Sequence, residues 1–164
     1  MSDRVAVMNR GRFEQVGTPQ ELYRDPRTWF TASFVGDNNR WQGTVEEVSS
    51  ETAVFRTEEN FVFRTRRRPE LGRGPATLFL RPESMLIEPV PSAELNIFAV
   101  TIKAILFDGG NSRLLTATAS GHELLVALPQ NRTFDHLRPG ARVNLGWHPE
   151  SGVAFAVSEQ GGAV

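Results

Sequence analysis

Leu80-Arg81-Pro82-Glu83-Ser84 and Trp147-His148-Pro149-Glu150-Ser151 are the two stretches whose agreement decides the fold. Each places a Pro-Glu-Ser turn after an apolar run, and the two lie 67 residues apart. Each run follows a Gly-containing turn, Leu71-Gly72-Arg73-Gly74 in the first and Leu137-Arg138-Pro139-Gly140 in the second. Upstream, Thr44-Val45-Glu46-Glu47-Val48 matches Thr101-Ile102-Lys103-Ala104-Ile105 in pattern at a spacing of 57. The second copy therefore carries about ten extra residues, with Gly109-Gly110-Asn111 and Asn131-Arg132-Thr133 as the places for them. A pattern used twice at fixed order marks one structural unit built twice.

The unit is made of strands. Runs of β-branched and apolar residues bounded by Gly, Ser and charged turns occur at 41–48, 53–57, 60–64, 77–81 and 85–88. A second set occurs at 98–107, 113–119, 123–128, 142–147 and 153–157. With repeats at about 38–90 and 95–160, the chain is mainly β, two small barrels sharing a core. Phe107 is expected to belong to that core. Pro89-Val90-Pro91-Ser92 reads as the segment crossing between copies.

Residues 1–36 differ in kind from 37–164. Val5-Ala6-Val7-Met8 is a continuous apolar run and Asn9-Arg10-Gly11-Arg12 a turn, so a β-hairpin is expected whose first strand is buried on both faces. Thr18-Pro19-Gln20-Glu21 has the form of a capping box opening a short helix. Asp25-Pro26 repeats the device for a second helix, with Trp29, Phe30, Ser33 and Phe34 along one side and Gly36 ending it.

The 164 residues amount to 18.3 kDa, enough to bury roughly 70% of the unfolded surface. Eighteen basic residues against nineteen acidic ones, net charge −1, make broad electrostatic binding to nucleic acid a poor reading. No cysteine is present, which excludes disulfide frameworks, thiolate metal sites and cysteine nucleophiles. No apolar stretch reaches the length of a membrane span, so the chain is expected to be soluble, with any membrane link made through a partner.

The stretch SDRVAVMNRGRFEQVGTPQELYRDPRTWFTASFVGDNN resembles the end of the nucleotide-binding domain of ABC importer ATP-binding subunits. The remainder of the chain resembles the transport-associated OB-like (TOBE) domain of one branch of that family. Asn39-Arg40-Trp41-Gln42-Gly43-Thr44-Val45 and Leu80-Arg81-Pro82-Glu83 carry its two signatures. Within the branch the likeness is best to importers of spermidine and putrescine, while iron and sugar importers share much of it. The resemblance implies two OB-like barrels and a regulatory, dimer-contacting role. Its implied partners are a second ATPase subunit, in a homodimer, and membrane-spanning permease subunits reached through the nucleotide domain. It also implies a cytoplasmic place on the inner face of a bacterial plasma membrane. Mg-ATP would be the cofactor of the full-length subunit. No G-x-x-x-x-G-K-[ST] loop is present, so no catalytic or cofactor-binding residue is assigned here.

Several residue groups are candidates on other grounds. Arg81, Glu83, His148 and Glu150 flank the repeated turns and either face a partner or pair locally as charges ending a strand. Val5, Val7 and Met8 are candidates for burial against the rest of a nucleotide domain or, with that partner missing, for pairing with a second copy; the alternative is a fraying hairpin. A dimer can form through this segment or through the OB-like halves. Arg64, Arg66, Arg67 and Arg68 beside Phe61 and Phe63, with Trp41 and Trp147, have the composition of a base-stacking surface. The competing reading puts the rings in the core and the arginines in solvent. Asp108, Ser112 and Arg113 form a candidate small-oxyanion site. His122, His136 and His148 are too widely spaced for a compact metal motif.

Overall fold

The computed structural model describes residues 3–130 and 133–160. Asn131 and Arg132, part of one suggested insertion, lie outside the described residues. The chain opens with a hairpin, β1 (Val5–Asn9) and β2 (Arg12–Gly17), then helices α1 (Pro19–Arg24) and α2 (Trp29–Phe34). The first repeat contains β3 (Asn39–Val48), β4 (Thr52–Thr57), β5 (Val62–Arg66), β6 (Gly74–Leu80), a 3-10 turn at Pro82–Ser84 and β7 (Leu86–Ile87). The second contains β8 (Asn96–Asp108), β9 (Asn111–Ala117), β10 (Glu123–Ala127), β11 (Arg142–Trp147), a 3-10 turn at Pro149–Ser151 and β12 (Val153–Ala156). A final turn of helix, α3 (Val157–Gln160), ends the described residues.

Local details agree between the copies. Strand β3 is bulged between Val45 and Glu47, and β8 between Ile102 and Ala104, the same place in the repeat. Both Pro-Glu-Ser turns close with the same hydrogen bonds: Ser84 N–H to Arg81 C=O at 3.0 Å, Ser151 N–H to His148 C=O at 2.9 Å. Gly109 and Gly110 form a two-residue hairpin loop between β8 and β9, and Gly109 has φ 63°, a value that glycine adopts without a Cβ penalty.

One element departs from two self-contained barrels. The first barrel runs β12-β5-β4-β3-β6, and the second sheet β10-β9-β8-β11-β7. Each therefore takes four strands from its own copy and the last from the other. Val153 to Ala156 pair antiparallel with Phe79 to Ala76, and Ile87 and Leu86 with Leu145 and Gly146. The first set closes into a barrel and the second is an open five-stranded sheet, and the exchange binds them together, because each takes its last strand from the other copy.

The core is continuous across the halves. Trp41, Phe63, Phe98 and Trp147 pack edge to face or stacked, with Trp41 and Trp147 at 6.1 Å and 19°. Asn39 and Asn96 bridge the halves further out: Asn39 bonds both Leu125 N–H and C=O at 2.8 Å, and Asn96 both of Arg64's at 2.9 and 2.8 Å.

Three expectations are corrected here. Thr28, not Asp25, caps α2, its hydroxyl accepting from Thr31 N–H, while Asp25 ends α1. The buried side of α2 runs through Thr31 and Ala32, with Trp29 against Phe79, and leaves Phe34 exposed, because the helix starts three residues later than expected. Phe107 is 78% exposed. It shares a groove with Ile105, but β8 runs on past the barrel rim, where the core has ended.

Candidate functional site

The hairpin and helices are fastened to the barrels at one cleft, of about 780 Å³, lined by Tyr23, Arg24, Arg81, Glu83 and Glu150 among others. Thr18 accepts from Glu21 N–H at 3.1 Å and starts α1, which points Tyr23 at the first Pro-Glu-Ser turn. The Tyr23 phenol donates to the Glu83 carboxylate. The Arg81 guanidinium is buried over the Tyr23 ring, 4.2 Å from its centre. It donates to the carbonyls of Val35, Asp37 at 3.1 Å and Tyr23 at 3.2 Å. Arg81 and Glu83 thus hold the end of α1 and the chain leaving α2, rather than each other, which corrects the local-pair reading. A strand-ending Arg next to a 3-10 turn projects away from its own sheet, so it meets the neighbouring segment.

Burial and the Glu83 hydrogen bond raise the Tyr23 phenol to about 12, since both favour the neutral form. Burial lowers the Arg81 guanidinium, partly opposed by Tyr23, Glu83 and Asp37. The second turn contributes less. Glu150 and Ser151 reach the cleft, while His148 stands half-exposed with Nδ1 4.0 Å from the Glu150 carboxylate. The two copies of the motif therefore share a shape and not a task.

In the hairpin, Val7 is buried and Val5 half-buried, whereas Met8 is 52% exposed. Gln15, opposite Val7, donates to Asp25 C=O at 3.2 Å and accepts from Arg27 N–H at 2.8 Å, so one face of the hairpin rests on the helices. The other face, Ala6, Met8, Phe13 and Val16, is open to solvent in the single chain, so the second face of the first strand is the one left for a partner.

The arginine cluster is spent on structure. Arg64 donates to Ala93 C=O, Arg67 to Ser49 C=O at 2.6 Å, and Arg68 to Ala154 and Arg27 C=O at 3.1 and 3.0 Å. Arg66 lies 3.7 Å from Asp25. Phe63, Trp41 and Trp147 are core residues and Phe61 packs against them, so none of these four rings is free to stack on a base. Arg113 pairs with Asp37 at 2.8 Å, and the side chain of Asp108 lies outside the described residues.

Sequence reasoning missed a polar knot between the two β4–β5 and β9–β10 turns. Glu59 accepts from Thr118 Oγ1 at 2.6 Å and from Ser120 Oγ, with His122 Nδ1 at 3.3 Å. Burial pushes its carboxyl up, but the bonds from Ser120, Thr118 and His122 outweigh it and hold the group below the usual carboxylate range. Its partners sit some sixty residues away, and no local signal links them. Each histidine has one glutamate partner: His122 with Glu59, His136 with Glu88 at 2.6 Å, His148 with Glu150. Among the described residues no three metal-ligating side chains come together, and no helix is long and apolar enough to cross a membrane.

Residues 78–155 match the TOBE domain family. The chain is 34% identical over 151 residues to the spermidine/putrescine import ATP-binding protein PotA of Rubrobacter xylanophilus, covering 90% of this chain and 39% of that protein. It is 31% identical over 155 residues to the protein of the same name from Nostoc sp., and 37% identical over 114 residues, 70% of this chain, to the sulfate/thiosulfate import ATP-binding protein CysA 2 of Chromobacterium violaceum. The chain spans about two-fifths of the length of the PotA relatives. Among solved structures, the cytoplasmic molybdate-binding protein ModG aligns with a TM-score of 0.63 at 16% identity, over 72% of this chain and 95% of that one, a likeness of fold. With its repeated five-stranded unit, its TOBE match and relatives along nine-tenths of its length, the chain belongs to the ABC importer ATP-binding proteins and corresponds to their TOBE-bearing C-terminal portion.

Proposed function

We propose that this chain is the regulatory and dimer-contacting portion of an ABC importer ATPase subunit, with polyamines as the cargo class. One observation carries the regulatory reading: Arg81 and Glu83 weld the helices after the hairpin to the double barrel. A motion of the domain ahead of the hairpin is then delivered to the barrels as a rigid displacement, not lost in a slack linker. The reverse holds as well, so a partner bound to the barrels biases the open or closed state by its differential affinity for the two. Tethering two ATPase subunits through such barrels makes their reassociation intramolecular, at high effective concentration.

In this reading the chain itself performs no hydrolysis, which the lack of a G-x-x-x-x-G-K-[ST] motif in its sequence supports. ATP, the permease subunits and the inner membrane face belong to the longer protein. Polyamine cargo is favoured over sulfate by the greater share of the chain matched, 90% against 70%. Two measurements test the proposal. The coding sequence upstream of Met1 should continue in frame to a phosphate-binding loop; a stop codon there overturns the importer reading. Uptake of labelled putrescine should fall when the gene is deleted, with sulfate uptake unchanged; the opposite pattern overturns the cargo.

A further inference from the structure

Both Pro-Glu-Ser turns open on the cleft under α1, and only the first is used to hold the helices. Glu83 accepts from Tyr23, and Arg81 is buried on that ring and bonded to three carbonyls. Glu150, the equivalent carboxylate of the second turn, lines the same cleft with its side chain largely in solvent. Its charged neighbour, His148, stands 4.0 Å away, beyond hydrogen-bond reach. Arg24, in the last turn of α1, lines the cleft too, is exposed, and makes no hydrogen bond or ion pair among the described residues. The rim thus carries one carboxylate and one guanidinium that the fold leaves unused.

Below the rim the walls are apolar: Ala32 and Val35 at α2, Phe79 of β6 and Val153 of β12. At about 780 Å³ the cleft has the size of a small-molecule pocket. Its charges select the occupant. An anion would meet Glu83 and Glu150 as well as Arg24, and a cation would meet Arg24 and Arg81 as well as the carboxylates. A neutral apolar molecule would take Glu150 and Arg24 out of water with nothing in exchange. A zwitterion on an apolar body answers all three: its ammonium meets Glu150, its carboxylate meets the two-pronged guanidinium of Arg24, and its body covers the apolar walls.

We propose that this cleft is a binding site for an α-amino acid with an apolar side chain, held by Glu150 and Arg24 with that side chain against Phe79 and Val153. The site lies wholly within this chain, so it stands or falls apart from the importer reading. A ligand there touches α1, α2 and both repeats at once. Where the regulatory reading holds, it shifts the helices against the barrels by its differential affinity for their arrangements.

Tyr23 is the single tyrosine and lines the cleft, so its ring protons report occupancy. Magnetic-resonance titration of the full chain with L-leucine, L-methionine and L-phenylalanine should shift those signals saturably with at least one of them below about 10 mM. No saturable shift with any of the three overturns the site. The tightest binder is then set against the amine that lacks its carboxylate and the acid that lacks its ammonium, and each should bind at least tenfold more weakly. Either analogue binding as tightly as the amino acid overturns the zwitterion assignment. Glu150→Gln and Arg24→Gln, both on the exposed rim, should keep the parent's melting temperature and weaken binding at least tenfold. Undiminished binding in either variant overturns the site as drawn.

Discussion

Asn39 and Asn96 hold the same position in the two copies, and each spends its whole amide on a strand of the other copy, β10 for Asn39 and β5 for Asn96. Both are buried, at 4% and 7% exposure, and each satisfies one backbone N–H and one C=O that the barrel leaves unpaired. The side chain acts as a one-residue strand. Asn96→Ala should therefore cost about 1–3 kcal/mol, since two part-buried hydrogen bonds go and the Arg64 N–H and C=O lose their partner. Asn39→Ala should cost about as much, and chemical denaturation of the two variants measures both. A loss under about 1 kcal/mol would show that water replaces the amide freely.

The Tyr23–Glu83 bond predicts an alkaline limb. The folded phenol titrates at about 12 against the ordinary 10, so its contribution to stability is complete below pH 10 and disappears as pH rises towards 12. Ultraviolet titration of tyrosinate in the folded chain should show Tyr23, the single tyrosine, ionising late. Glu83→Gln should bring that midpoint down. An unchanged midpoint would place the cause in burial alone.

Glu59 predicts the acid limb. Its folded carboxyl is held below the unfolded value, so it stabilises the chain at neutral pH and loses that contribution as pH falls through the carboxylate range. Glu59→Gln should flatten the decline in denaturation midpoint between neutral pH and pH 3. A decline as steep as the parent's would assign it to other carboxylates.

Two phenylalanines separate core from rim. Phe63 lies in the four-ring cluster at 2% exposure, and its change to alanine should cost about 3–5 kcal/mol. Phe107→Ala should cost under about 1 kcal/mol in the monomer, because most of that ring is already in water. Equal losses would mean that the end of β8 folds back onto the barrel in solution.

Isothermal titration of the chain with Mg-ATP should give no saturable heat. A triphosphate needs a backbone cradle, a lysine and magnesium carboxylates, and the sequence has no such loop. Micromolar affinity would end the reading of this chain as the non-catalytic portion.

The sequence by itself determined what is local or repeated. The strand spacing, the Thr18 cap, both Pro-Glu-Ser turns and the two-copy plan all depend on neighbours within a few residues, and all are present. The resemblance of Asn39 to Val45 and of Leu80 to Glu83 likewise led to the family, through residues that stand in line. Tertiary structure alone decided which copy supplies each closing strand, because β7 and β12 are each short enough to pair with either sheet. It decided that Arg81 and Glu83 grip Tyr23 rather than one another, a contact across about sixty residues that no spacing rule encodes. It decided the fate of Phe107 too: alternation along β8 gives the side a residue faces, but the point at which the sheet runs out of core is set by the length of its partners.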